Sequence, residues 1–130
     1  MRAIDPWFGL SSTTEAAKTV VVVGCPFGSN QAFRSGAEAG PSEIREWACT
    51  AEAINEVGCP IRDIRVIDCG DVGPAEATGE ERWEAIVDAG TRALEENPNA
   101  FLLGLGGDHS VTPPLATAAR NVLGEMAFIL

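Results

Sequence analysis

The chain alternates short, unbroken apolar runs with longer segments in which apolar residues recur every three or four positions. The runs are Thr19 to Cys25, Ile64 to Cys69, Phe101 to Leu105 and Met126 to Leu130. Each lacks polar alternation, and glycine or proline punctuates the turns between runs, which predicts parallel strands covered on both faces. Pro41, at a first helical position, opens a helix whose Ile44, Trp47, Ala48, Ala51 and Ile54 share one buried face, with Gly58 and Pro60 as its stop. Thr78 and Glu81 have capping-box spacing at the head of a second helix, which carries Trp83, Ile86, Val87, Gly90 and Leu94 on one face and finishes at Asn97-Pro98. Thr112 as N-cap and Pro113 as first helical residue open a third, through Leu115, Ala118, Ala119 and Val122 to Gly124.

The order is therefore strand, helix, strand, helix, strand, helix, strand. Right-handed crossovers wind such a chain into an α/β fold, a parallel sheet with helices on its faces. Residues 1–18 precede it as an arm to which no function is attached, and residues 19–130 carry the α/β part. A buried-type strand at Met126 to Leu130 leaves apolar side chains and unpaired backbone to be covered. The expectation is that the chain is a piece of a larger domain, or that another chain completes the sheet.

Composition narrows the function classes. With 130 residues there is room for one core, and a formal charge of -10, from nineteen acidic and nine scattered basic residues, argues against nucleic acid and anionic membranes. A cationic substrate is compatible with that balance. Cys25, Cys49, Cys59 and Cys69 form no C-x-x-C pair. They are expected to be mostly small buried hydrophobes in a reduced protein. The N-terminus shows no basic region leading into an apolar run and a cleavage site, so a cytoplasmic location is the default.

The chemistry concentrates in Gly104-Leu105-Gly106-Gly107-Asp108-His109-Ser110-Val111-Thr112-Pro113-Pro114, where a strand breaks at glycines and enters a helix. His109, the one histidine of the chain, falls at a strand's carboxyl end, where open α/β sheets bind ligands. Imidazole is the commonest transition-metal ligand, so His109 is a site candidate; a hydrogen-bonded structural histidine is the alternative. The glycines favour the site, because they relieve crowding around Asp108 and His109. A phosphate cradle fits less well, since no Lys-Ser/Thr follows and Asp108 repels an anion. Phe27 to Gly40, a long loop at the carboxyl end of the first strand, is a second functional segment. The turn Asp68-Cys69-Gly70-Asp71-Val72-Gly73-Pro74 places carboxylates at another strand end, where Asp71 alternatively caps backbone amides.

Four blocks, in order, resemble the ureohydrolase superfamily of arginases and agmatinases. They are Gly24-Cys25-Pro26-Phe27, then Arg34-Ser35-Gly36-Ala37-Glu38-Ala39-Gly40-Pro41-Ser42-Glu43-Ile44-Arg45, then Asp68-Cys69-Gly70-Asp71-Val72, then Gly106-Gly107-Asp108-His109-Ser110-Val111-Thr112-Pro113. The R-x-G-x-x-x-G-P-x-x-I-R form of the second block is closer to agmatinases. The resemblance implies a three-layer arginase-like fold, of which residues 19–130 are an amino-terminal part, and a two-manganese centre at the carboxyl edge of the sheet. In that family a metal-bridging hydroxide attacks a guanidino carbon, releasing urea and an amine. His109 would be a metal ligand and Asp108 its support.

The departures from the family pattern set the expectation for this chain alone. The family's Asp-x-His-x-Asp and Ser-x-Asp-x-Asp blocks are missing, and Gly28 replaces the acidic residue that usually follows Pro-Phe. One imidazole does not hold two divalent metals. No residue of the chain is assigned a catalytic role and none a substrate contact. Two functions remain in view: part of a ureohydrolase acting on an agmatine-like guanidino compound, with a second chain supplying the other ligands, or a non-catalytic arginase-fold chain that self-associates or is a truncated fragment. A nucleotide or flavin domain would need a phosphate-binding turn after the first strand, which Cys25-Pro26-Phe27-Gly28 does not supply.

Overall fold

The computed structural model describes residues 7–8, 10, 16–28, 35–74 and 76–127. Its centre is β1 (Lys18–Cys25), whose four consecutive valines sit between two parallel neighbours, β2 (Ile64–Asp71) and β3 (Phe101–Gly106), in the order β2-β1-β3. Alternation along β1 sorts its side chains into two cores. Val21, Val23 and Cys25 face the layer built by α2 (Gly79–Glu96) and α3 (Thr112–Leu123), where they meet Ile86, Ala93, Leu94, Val111 and Ala119. Val22 faces the other side and packs with Ala48 of α1 (Gly40–Ala48), Val66, Leu105 and Trp7. The result is the expected three layers, with helices on both faces of a parallel sheet.

Local sequence explains how closely the layers approach. Gly90 sits where α2 crosses α3, and a Cβ there would lie 2.8 Å from the Ala118 Cβ, so the glycine sets the helix spacing. Gly124, at φ 85, ends α3 in the left-handed region that glycine adopts without penalty.

Several expectations are corrected. The first helix ends at Ala48 rather than running on to Ile54; Ala51 lies beyond it, and an isolated antiparallel bridge joins Ile54 to Pro60. Its supposed buried face is largely open, with Ile44 44% and Trp47 71% exposed. The helical spacing was real but marks a surface that the described residues do not cover. Thr78 does occupy the N-cap of α2, but its side chain makes no capping bond. Thr112 is the first residue of α3 and not its cap, because a 3-10 turn at His109–Val111 runs directly into the helix. β3 is not buried on both faces: Phe101 is 60% and Leu103 43% exposed, since β3 has no neighbour on its outer side among the described residues. Of the four cysteines only Cys25 is buried, and Cys59 and Cys69 are exposed. Trp7, in the arm given no role, is a core residue. The strand expected at Met126 to Leu130 falls partly on residues 128–130, outside the described ones, and Met126 and Ala127 are not in a strand. No described helix is long and apolar enough to cross a membrane.

Candidate functional site

The carboxyl ends of β1 and β3 are tied together just before His109. The Gly107 amide donates to the Cys25 carbonyl at 3.0 Å, and the Asp108 amide donates to the Phe27 carbonyl at 2.8 Å. This approach is possible only because residue 107 has no side chain: a Cβ there would stand 2.1 Å from the Phe27 oxygen. Phe27 itself is buried, and the Arg82 guanidinium of α2 lies 5.6 Å above its ring, which clamps the segment that Gly107 rests on.

From this clamp the chain turns sharply. The Asp108 carboxylate accepts from the Ser110 amide at 2.9 Å and from the Ser110 hydroxyl, capping the 3-10 turn that His109 begins. Thr112, Pro113 and Pro114 then continue as the first turn of α3, where a missing proline N–H leaves no hydrogen bond unmade. His109 is thereby exposed at the carboxyl end of β3, on the rim of an open groove of about 550 Å³ between the outer side of β3 and α3. Asp108 is thus bound into the turn, while His109 is exposed beside the groove.

The carboxylates at the end of β2 do something different. Asp68 and Asp71 are three apart, so a regular strand would send them to opposite faces. The β1–β2 register slips between Val22 and Gly24, and Gly70 takes φ 80, so one extra residue of β2 is accommodated there and Asp71 returns to the face of Asp68. Both meet Arg45 of α1. Its Nε and Nη2 donate to the two Asp68 oxygens at 2.7 and 2.8 Å, and its Nη1 donates to Asp71 at 2.6 Å. The Trp7 indole N–H adds 2.8 Å to the same Asp68 carboxylate. Gly24 makes room beneath this group, for a Cβ there would overlap the Asp71 carboxylate. Burial works to raise the Asp68 pKa, but the hydrogen bonds from Arg45, the Gly70 amide and Trp7 outweigh it and hold the group below the usual carboxylate range. The guanidinium is correspondingly raised.

These two aspartates are therefore committed to an ion-pair cluster that fastens α1 and the arm to β2. Among the described residues, no three His, Cys, Asp or Glu side chains converge on one point as metal ligands would. By themselves the described residues do not fit a two-metal centre; His109 suits one ligand of such a set. The segment Phe27 to Gly40 was a second candidate, and its residues 29–34 lie outside the described ones. The cluster partners Arg45 and Trp7 escaped the sequence reasoning, and Gly70 between the two aspartates was the available signal.

Comparison with known proteins decides the ancestry. The arginase family model matches residues 18–130, the whole of the α/β part. The chain belongs to the arginase family. Among curated relatives of this arginase-family chain, an arginase of Glycine max is 34% identical over 123 residues, covering 88% of this chain and 35% of that protein. An N(1)-aminopropylagmatine ureohydrolase of Thermus thermophilus is 29% identical, covering 94% of this chain and 41% of that protein. Among solved structures, a hypothetical agmatinase from Burkholderia thailandensis aligns with a TM-score of 0.68 at 34% identity, over 83% of this chain and 34% of that one. An arginase superfamily protein from Trypanosoma cruzi, with a TM-score of 0.72 at 24% identity over 92% of this chain and 41% of that one, shares the fold. The arginase-family chain thus spans about a third of the length of the first relatives it matches.

Proposed function

We propose that this arginase-family chain forms part of a metal-dependent ureohydrolase that releases urea from an agmatine-like guanidino compound. In this reading His109 supplies one manganese ligand, and the remaining ligands come from arginase-family protein outside these residues, carried on a second chain. The observation that supports it is the coincidence of the family match with an intact frame around His109: the Gly107 contact, the Asp108 cap and the proline-led start of α3 leave that residue exposed at the edge where α/β sheets place their ligands. Imidazole with carboxylate suits manganese in an N/O ligand set. The acidic charge of the chain suits a cationic guanidinium substrate.

The test is urea release by the protein isolated with whatever binds it, using agmatine and related guanidino compounds, before and after His109→Ala. Loss of one ligand should lower turnover by at least about 100-fold and reduce the bound metal. Because His109 is exposed, the unfolding midpoint should barely move. Full turnover in the variant refutes the ligand role. An assembly that is metal-free and inactive before any substitution favours the non-catalytic chain.

A further inference from the structure

The backbone that carries His109 leans on a residue of α2, through the segment that follows β1. Pro26 turns the chain out of β1, and the Phe27 amide donates back across it to the Cys25 carbonyl at 2.8 Å. Such a three-residue turn suits the fixed φ of proline. The Phe27 carbonyl thus lies past the last β1–β3 pair, Cys25 with Gly106, and accepts from the Asp108 amide at 2.8 Å. Gly107 fits between this oxygen and the Ala37 carbonyl, since a Cβ on residue 107 would stand 2.1 Å from the first and 3.1 Å from the second. Past the ladder, what fixes the Phe27 carbonyl is its own ring. That ring is 2% exposed and belongs to the buried cluster that includes Ala77, Ile86 and Val111. Over it, at 5.6 Å, stands the guanidinium of Arg82, a half-buried residue in the first turn of α2. An aromatic face attracts a cation, and more strongly as water is excluded.

We propose that Arg82 is a positioning residue for His109: through the face of the Phe27 ring it holds the carbonyl on which the Gly107-Asp108 backbone rests, and so sets where the following turn presents His109. The contacts run from guanidinium to ring, from the Phe27 carbonyl to the Asp108 amide, and from the Asp108 carboxylate to the Ser110 amide at 2.9 Å, which caps the turn His109–Val111. Val111 returns to the same buried cluster as Phe27, so the turn is fastened at both ends to one patch of core. The first two links join α2, the end of β1 and the turn after β3, and no regular ladder or helix bond duplicates them. Arg82 acts in this role only through Phe27. A cationic guanidino substrate and a divalent metal would both be repelled by an arginine at this edge, whereas the ring uses its charge. The placing of the turn rests on these contacts alone; its consequence for a metal rests on the functional reading above.

The experiment compares Arg82→Gln, which removes the cation, with Arg82→Lys, which keeps it, in the full chain, and reads amide hydrogen exchange by NMR without added metal. In Arg82→Gln the Gly107 and Asp108 amides should exchange roughly three- to tenfold faster than in the native chain, while those of Val21, Val22 and Val23 in β1 keep their rates. Arg82→Lys should restore most of the protection. The imidazole resonance of His109, the one histidine of the chain, should shift in Arg82→Gln and return toward its native position in Arg82→Lys. In a Phe27→Leu background, which keeps an apolar side chain and removes the ring, Arg82→Gln should change nothing further. The proposal is overturned if the Gly107 and Asp108 amides keep their native rates, if they speed up only in step with β1, or if lysine does no better than glutamine. In the assembly formed in its own cells, Arg82→Gln should also raise the manganese concentration needed for half-maximal urea release, and an unchanged requirement in an active assembly overturns the proposal too. Faster exchange in an assembly that releases no urea at any manganese concentration leaves the positioning role standing and removes the functional reading; normal urea release with unchanged exchange does the reverse.

Discussion

Arg45→Met removes the guanidinium fork while keeping most of the side-chain stem, so it isolates the ion-pair cluster from the packing of α1. In the native chain the Arg45 and Asp68 side chains are 18% and 19% exposed, and three short charge-assisted bonds run from Arg45 to the two aspartates. Exposed pairs contribute at most about 1 kcal/mol. Breaking a fully buried pair costs about 3–5 kcal/mol, because the partner is left charged and unpaired. This cluster lies between, so the loss should be about 2–3 kcal/mol, or an unfolding midpoint lower by about 6–12 °C for a domain of this size.

The pH dependence separates this cause from a packing defect. The native Asp68 pKa is depressed below 3.8, so its contribution is fully present above the unfolded value and disappears as pH falls through the folded one. In Arg45→Met only the Gly70 and Trp7 bonds still oppose the burial, so the variant loses less stability than the native protein when Asp68 is protonated. The gap between the two proteins should therefore narrow as pH falls below 3.8 and on through the depressed native value, as followed by chemical unfolding at each pH. Asp68→Asn should cost little once Arg45 is already Met, a coupling that a double-mutant cycle reads directly. A gap that stays constant as pH falls from 7 through the native Asp68 titration, or a loss under about 0.5 kcal/mol at neutral pH, would show that the cluster does not hold α1 to β2 as argued.

Gly107→Ala places a Cβ 2.1 Å from the Phe27 carbonyl, a backbone atom that cannot rotate away, so unfolding measurements should show a loss of at least about 2 kcal/mol; a midpoint within error of the native protein would disprove the close approach. Burial first, and then the Asp71 charge, push the Cys25 thiol from 9.0 to about 12, which cuts its thiolate fraction at pH 8 roughly a thousandfold. In native protein Cys59 should react with iodoacetamide long before Cys25, and equal labelling rates read by mass spectrometry would contradict the buried position of β1.

The parts of this fold that local pattern determines were legible in the sequence. Four successive valines leave β1 few alternatives to a central strand, and the glycines of Gly104 to Gly107 announce a close backbone approach that the structure shows against Phe27 and Leu115. Other features depend on what lies across from a residue. Ile44 and Trp47 have the spacing of a buried helix face, but periodicity marks a surface that wants covering and does not say what covers it. Phe101 and Leu103 mislead for the same reason, since an apolar run predicts two covered faces whether or not the neighbouring strand is at hand. Asp68 and Asp71 defeated simple alternation because Gly70 changes the parity of β2, which turned two apparent site carboxylates into partners of Arg45.

That reassignment bears on how an active centre could be shared. The frame that points His109 outward uses Cys25, Phe27, Gly107, Asp108 and Ser110, all within this chain and all anchored to the buried strand β1. Its hydrogen bonds form without any added segment, so the backbone that carries His109 is in place before a metal or a second ligand arrives. Preorganising one ligand lowers the entropy that binding must overcome. The carboxylates nearest in character, Asp68 and Asp71, are withheld by an arginine and are poor competitors for the same ion. With one histidine and no converging carboxylates among the described residues, the isolated chain should bind manganese only weakly in titration calorimetry.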